Sequence, residues 1–520
     1  MRRSDTRAYG MSVLTGGNHR GRLGRRVSPA FVVLLVVGLV ATACGARVAP
    51  YLGAGAGLSG GGGGPSAAGG STETTSAGAT AGATGSAGQS GSGGSGSSGN
   101  GAAPSVAPPA GFDFKPQTEA AACQGATGNT ASAPGITASS ILIGNVSGIS
   151  GPLQGSFTQG RDATAALFDA VNAAGGICGR KLVLDAEDDG QNSSTNKSDV
   201  DDLISKPVFA FAGGTSDADN GGVADMVSAG VPDFGFAINC NRSQSATYWS
   251  VDGGSCDQPG GPGTTFYLGN GAMALAKSAG YLPKSMAFLA YSIAISAQAA
   301  QQFAYVYTHS FGGTICYEDT SISPVSASLE SDVSQMQAKG CQGVYTTLDV
   351  TGNAKLLQAM QQQNFQMPYV ATTFDGYTPQ QISTAGQSAA QNLIVTVPFM
   401  PLNENQPMDT MYQQQLQQYV PGSQPSGFGF LSWLSDQMMI YALLQAGRNP
   451  TRASLNAALN GLKNFTAGGA VGPYTPSAHS VGNCVIDTMV KGNDFVRKAP
   501  SSGLFCDTQI VPASGPNGQS

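Results

Sequence analysis

The chain has 520 residues, 25 Lys and Arg against 31 Asp and Glu, and 74 unevenly spread glycines. Its length suits two or three packed units rather than one, and an acidic chain without a basic run lacks the electrostatic footprint of nucleic-acid binding. Beyond the N-terminal region the only histidines are His309 and His479, both isolated, which argues against a His-containing catalytic triad and a multi-histidine metal site.

Arginines at 2, 3, 7, 20, 22, 25 and 26 precede the apolar run from Phe31 to Val40. Such a run suits the apolar part of a signal peptide and falls short of the ~20 residues that span a bilayer as a helix. Ala41-Thr42-Ala43-Cys44-Gly45 then places small residues before a cysteine. This resembles the bacterial lipoprotein box, in which residues 1–43 are removed and Cys44 is lipidated; a cleaved signal with an incidental cysteine is the alternative. Ser28 and Pro29 follow Arg25-Arg26 where twin-arginine export wants apolar residues. Loss of residues 1–43 leaves 18 Lys and Arg against 30 Asp and Glu, a net charge of about −12.

From Leu52 to Gly111 the sequence is almost entirely Gly, Ser, Ala, Thr and Pro, with Glu73 its one charge. It lacks the apolar surface needed to offset chain entropy. Residues 44–111 are therefore expected to form a flexible tether with an end-to-end distance on the order of 40 to 45 Å. Eight cysteines besides Cys44 favour up to four disulfides in an exported chain. Chain neighbours suggest Cys123 with Cys178, Cys240 with Cys256, Cys316 with Cys341 and Cys484 with Cys506, with free buried thiols as the alternative.

At Ile141 short apolar runs begin to alternate with helical periodicity, the signature of repeated βαβ units and a parallel sheet. The first strand runs into a turn containing Gly148, Gly151 and Gly155. A helix follows with Ala163, Ala166, Leu167, Ala170, Val171 and Ala174 on one face, a Ser156/Gln159 capping box at its start and Gly175-Gly176 as its stop. Further strands are predicted at 181–186, 207–212, 231–237, 284–291, 313–322, 343–348, 368–374 and 393–399. Helices are predicted at 408–419, 431–445 and 452–459, and 484–490 with 495–499 reads as a closing hairpin. The Cys-bearing, Gly/Pro-rich stretch 240–263 interrupts the pattern and suggests two lobes.

Two strand-to-helix turns are candidate ligand loops. The glycine turn offers backbone amides, which at a helix N-terminus bind phosphate or carboxylate, but it has neither the GxGxxG spacing nor the Gly-Lys-Ser/Thr of a P-loop. The second, Gly213-Gly214-Thr215-Ser216-Asp217, adds two hydroxyls; a plain N-cap is the simpler role for either. Asp188-Asp189 reads as a solvated loop rather than a catalytic pair of carboxylates.

Ile141-Leu142-Ile143-Gly144, Ser150-Gly151-Pro152-Leu153, the helix ending Asn172-Ala173-Ala174-Gly175-Gly176-Ile177, Gly179-Arg180-Lys181-Leu182 and Asp188-Asp189 resemble the leucine/isoleucine/valine-binding family of extracytoplasmic solute-binding proteins. The match continues through Ala229-Gly230-Val231-Pro232, Gly343-Val344-Tyr345, 354–364 and 428–447, covering roughly 136–506. The resemblance implies a type I periplasmic-binding fold: an α/β protein of two doubly wound parallel-sheet lobes joined by a three-strand hinge. Crossovers are then expected near 264–269, 393–401 and 466–482. The lobes become 112–265 plus 400–470 and 266–399 plus 471–510, with a tail from 511 to 520.

The resemblance carries Thr215 and Ser216 onto positions that hold an amino-acid carboxylate, Ala237 and Asn239 onto a second strand end, and Asp375 onto an acidic residue facing the ligand ammonium. Thr346 and Thr347 fall on the wall of the second lobe. Ser150, Gly151, Leu153, Gly214, Tyr291 and Phe374 complete the expected ligand-binding set. Ile295-Ser296 stand where many relatives have Tyr-Gly, which Tyr291 is placed to replace. Phe428, Phe430 and Trp433 are expected either to wall the cleft or to pack in the core. No catalytic residue, metal or cofactor is implied. The expected role is capture of a small polar solute by a monomeric, lipid-anchored component of an ABC importer for delivery to its permease. A ligand-sensing receptor domain and a structural surface lipoprotein are the alternatives.

Overall fold

A computed structural model describes residues 123, 127–153, 155–254, 265–326, 328–482, 484–506 and 510–515. The signal segment, Cys44 and the tether lie outside them, as does Cys256. Within them two separate sheets carry the architecture.

The first sheet contains β1 (Ser140–Ser147), β2 (Lys181–Asp188), β3 (Ala210–Gly214), β4 (Asp233–Gly235) and β5 (Tyr248–Trp249), in the order β2-β1-β3-β4-β5. All its pairings are parallel. β6 (Phe266–Gly269) stands apart. β7 (Ser285–Tyr291), β8 (Thr314–Ile322), β9 (Gly343–Thr346), β10 (Tyr369–Thr372), β11 (Ile394–Val397), β12 (Cys484–Lys491) and β13 (Asp494–Ala499) build the second sheet in the order β13-β12-β11-β10-β9-β7-β8, with β14 (Phe505–Cys506) pairing on β12. β8 through β11 are parallel, while β12 and β13 are an antiparallel edge. Residues placed above in a tail form β15 (Ile510–Ala513), antiparallel to β6.

The short runs that read as fully apolar are buried on both faces: every residue of β3, β9, β10 and β11 is buried, as a parallel sheet covered by helices requires. The hairpin forms as expected, with Lys491 opposite Asp494 and Gly492 supplying a φ of +64°. The first helix runs Thr158–Ala173 and stops before Gly175 and Gly176, at φ +111° and +75°. Its expected capping box does not form. Phe157 is the N-cap and bonds through no side chain, while Gln159 Nε2 reaches back to the Gly155 carbonyl at 2.5 Å.

The helix Gly427–Ala446 begins four residues before its expected start, capped by the Ser426 hydroxyl on Gly429 N–H at 3.0 Å. It is buried along almost its whole length, and Phe430 and Trp433 pack with Tyr412 in the core. Three disulfides match the expected pairs: Cys123–Cys178, Cys316–Cys341 and Cys484–Cys506. Cys240 is also disulfide-bonded. No helix among the described residues is long and apolar enough to cross a membrane.

The chain leaves β11 through Phe399 and Met400 for the helix Pro407–Tyr419, which packs on the first helix beside the first sheet. It returns through Val471 to β12 in the second. These two crossings touch: Phe399 pairs with Val471, and Met400 N–H donates to the Ala470 carbonyl at 2.8 Å. They make two of the three expected hinge strands between the sheets, while residues 255–264 on the way from β5 to β6 lie outside the described residues.

Candidate functional site

Strand carboxyl ends of both sheets face one cleft, the general location of ligands in doubly wound sheets. Two cavities of about 250 and 130 Å³ occupy it. They share Ile238, Ala299, Gln302, Thr373 and Phe428 as walls and so adjoin.

Three amides of the glycine turn after β1, those of Ile149, Ser150 and Leu153, are not offered to that space. Asp188, at the end of β2, accepts Ile149 N–H and Ser150 N–H through Oδ1 at 3.0 Å each. Burial, the largest influence on Asp188, raises its pKa but is outweighed by the bonds from Ser150, Gly190 and Ile149, so the carboxylate is held below its usual range. Gln191 accepts Leu153 N–H at 2.9 Å and donates back to the Leu153 carbonyl at 3.2 Å. Gly151, at φ +119°, is obligatory here because a Cβ would meet Gln191 at 2.8 Å. The turn thus holds the chain's own carboxylate, and its fixed shape presents Leu153 to the smaller cavity.

The Asp188-Asp189 pair is accordingly not a solvated loop. Asp189 is fully buried, accepts Gln191 N–H and Asn196 Nδ2, and has its pKa raised chiefly by burial.

The loop after β3 is also closed on itself. Thr215 and Ser216 are fully buried. The first helix approaches through Gly160, where a Cβ would overlap the Thr215 hydroxyl, and that hydroxyl turns to the Phe157 carbonyl at 3.4 Å. Ser216 Oγ accepts Ala218 N–H at 3.1 Å. Gly214 lies beside Arg242, whose guanidinium binds the Gly214 carbonyl, grips Asp233 with two bonds of 2.8 Å and reaches Asp219 at 3.2 Å. Asp219 in turn accepts Ile238 N–H and Asn239 N–H at 2.8 and 3.0 Å. Asn239 is thereby a brace that sets Ile238 in the cleft wall, and Ala237 N–H is taken by Tyr248 Oη at 2.8 Å.

In the second lobe Tyr291 is buried and donates to Asp349 Oδ1 at 2.6 Å. The same oxygen caps the helix Val350–Gln362 through Gly352 N–H at 2.8 Å. Thr346 is also buried, hydrogen-bonded to Asn353 Oδ1 at 2.5 Å. Thr347 and Ser296 tie the end of β9 to the helix Ala294–Phe311 that follows β7: Thr347 Oγ1 donates to the Ser296 carbonyl and Ser296 Oγ to the Thr347 carbonyl, both at 2.8 Å.

Of the thirteen residues expected from sequence, Leu153, Thr347 and Asp375 border the smaller cavity and Phe374 the larger. Ser150, Gly151, Gly214, Thr215, Ser216, Ala237, Asn239, Tyr291 and Thr346 border neither. Sequence reasoning missed Phe157, Asp217, Phe236, Ile238 and Gln302. Asp217 and Ile238 sat within or next to quoted loop residues, and their position at strand ends was the available signal.

Four phenylalanines from both lobes make the apolar wall. Phe374 meets Phe236 edge-on at 4.8 Å and Phe428 at 5.1 Å, and Phe157 lies 5.6 Å from Phe428. Where Phe374 abuts the helix Gly427–Ala446, a Cβ on Gly427 would overlap the Phe374 carbonyl oxygen.

All the charged side chains bordering the two cavities are carboxylates: Asp217, Asp349 and Asp375 in the smaller and Asp252 in the larger. Burial, then the nearby Asp189 and Asp219, push Asp217 up to about 7; its Oδ1 is buried without a hydrogen-bond partner. Burial is also the main influence on Asp375. A 2.5 Å bond from Thr373 lowers its pKa and Asp349 raises it, leaving it at about 7. Among the described residues no cluster of three His, Cys, Asp or Glu is arranged to hold a metal ion.

Residues 140–494 match the family described as periplasmic binding protein. Among solved structures, the branched-chain amino acid transporter substrate-binding protein LivJ of Streptococcus pneumoniae, in complex with isoleucine, aligns over 69% of this chain and 100% of its own at 15% identity and a TM-score of 0.57. A fatty acid ABC transporter substrate-binding protein from Thermomonospora curvata aligns over 74% of this chain and 97% of its own at 15% identity and a TM-score of 0.59. The leucine-binding protein LivK of Thermotoga maritima covers 69% of this chain and 98% of its own at 15% identity and a TM-score of 0.55. At that identity these likenesses show the shared fold. No curated protein matches the sequence significantly.

Proposed function

The chain belongs to the periplasmic binding protein family, and on that premise we propose that it is the solute-binding lipoprotein of an ABC importer, capturing an amine-bearing solute between its lobes. Anchored to the outer face of the cell membrane through Cys44 and extended on the 44–111 tether, it delivers the solute to a permease. Binding involves no covalent chemistry. The lobes divide near residues 265, 400 and 470 and close on the solute by hinge motion.

The observation that carries the reading is the charge of the cleft. Asp217 from the first lobe and Asp375 from the second border the same 130 Å³ cavity, and no cation borders it among the described residues. A buried carboxylate is costly until a cation pairs with it, so the two lobes gain a common partner when an ammonium enters. Asp375, Phe374, Thr347 and Leu153 are the sequence-expected residues proposed to touch the solute.

Of the groups expected to hold an amino-acid carboxylate, the Ile149, Ser150 and Leu153 amides and the Thr215 hydroxyl are taken by Asp188, Gln191 and the Phe157 carbonyl. This favours an amine without an α-carboxylate over the isoleucine bound by the Streptococcus protein, and the acidic wall disfavours a fatty-acid anion.

Mass spectrometry of small molecules released from denatured protein identifies the solute, and small-angle scattering with and without it measures closure. Recovery of an amine and a reduced radius of gyration are expected. Recovery of an anion, or no stabilisation by any member of a broad panel of amines and amino acids, would overturn the reading.

A further inference from the structure

The larger cavity lies towards the hinge and differs in chemistry from the smaller one. Leu268 comes from β6, Val397 and Pro398 from the end of β11, Val481 from the returning crossing and Val485 from β12. Its polar side chains are largely committed elsewhere. The Thr396 hydroxyl donates to Asp487 at 2.6 Å. Burial pushes the Asp252 carboxyl well up, towards its neutral form. All three carboxylates of the cleft other than Asp252 border the smaller cavity.

We propose that this hinge-side cavity is a distinct subsite for an apolar chain, so that the solute is an amphiphilic amine with its head at Asp217 and Asp375 and its tail among the crossover strands. The proposal rests on the amine reading above and adds the second half of the solute.

Three observations carry it. The cavities adjoin, sharing Ile238, Ala299 and Phe428 as walls, which places the head and the tail of one molecule side by side. The hinge-side volume of about 250 Å³ exceeds the ~150 Å³ of an apolar cavity that takes up benzene. At ~30 Å³ for a water-sized group it has room for roughly eight methylenes. Phenylalanine rings wall the larger cavity, Phe374 and Phe428 in edge contact at 5.1 Å, and such rings pack along an alkyl chain without asking it for a hydrogen bond. A small polar solute held at the carboxylates would use none of this surface.

The test is isothermal titration of the full mature chain with n-alkylamines from butyl to decyl at pH 8. Burial of each methylene tightens binding about fourfold, so octylamine is expected to bind on the order of 250-fold more tightly than butylamine, with the gain levelling off once the compartment is full. Ala272 lines only the hinge-side cavity, and Ala272→Phe, which fills it, should bring the octyl-to-butyl ratio close to one.

A flat chain-length series with butylamine still binding would overturn the tail subsite alone. A ratio unmoved by a folded Ala272→Phe would do the same. Failure of every amine to bind would overturn the amine reading beneath it, and the subsite with it.

Discussion

Asp375→Asn removes one charge from the cleft and keeps the side chain's shape, and its effect on binding can be worked out against pH. In the free protein the carboxyl sits at about 7, chiefly because it is buried. An ammonium pairs with the ionised form, so each pH unit below that value adds ~1.36 kcal/mol to the cost of binding. Between pH 8 and pH 5.5 the share of the added cost due to Asp375 is about 2 kcal/mol, about a 30-fold loss of affinity for octylamine, whose ammonium stays protonated throughout. A proton should be released on binding near pH 6.5, visible as a dependence of the heat on buffer ionisation enthalpy. Removing one member of a desolvated charge pair costs about 2 to 5 kcal/mol. Asp375→Asn should therefore weaken binding at pH 8 by roughly 30-fold or more and keep only the pH dependence contributed by Asp217. The assay is isothermal titration from pH 5.5 to 8.5, with circular dichroism confirming that both proteins are folded. Equal affinities at pH 8, or binding that strengthens as pH falls, would refute the reasoning.

The ligand-free protein should lose stability as pH rises from about 4 to about 7, because Asp217 and Asp375 bind protons more tightly folded than unfolded; calorimetry of the Asp217→Asn/Asp375→Asn double variant should show a shallower decline, and an unchanged slope would count against it. Gly427→Ala forces a methyl against the Phe374 carbonyl and should cost ~1–3 kcal/mol in urea denaturation, an unaltered midpoint being the contrary result. Replacing Cys316 and Cys341 by serine frees a cross-link between residues 25 apart and should cost about 3.5 kcal/mol on the chain-entropy estimate, measured the same way. Cys44→Ala should move the protein from the membrane to the soluble or culture fraction, and wild-type protein already soluble and free of lipid would show that Cys44 is no anchor.

The two-lobed α/β fold was legible because burying both faces of a parallel strand demands a short apolar run, and covering it demands an amphipathic helix; β3, β9, β10 and β11 and the helix Thr158–Ala173 carry those patterns locally. Close cysteines likewise announced three of their pairings. The capping box at Ser156 was misread because a local pattern says nothing about the Gly155 carbonyl that Gln159 turns to instead. The site was legible only in part. Amides in the glycine turn look available in sequence, and it takes the pairing of β1 with β2 to bring Asp188 beneath them, 38 or 39 residues away. Thr215 looks like a ligand hydroxyl until Gly160 lets the first helix cover it. Sequence by itself determined which segments become strands and helices, since that depends on the period of apolar side chains. Only the tertiary structure decided that Asp217 and Asp375 share one cavity while Thr215 and Ser216 do not border it, because the packing of helices on sheets and of one lobe on the other sets which polar groups stay open to a solute.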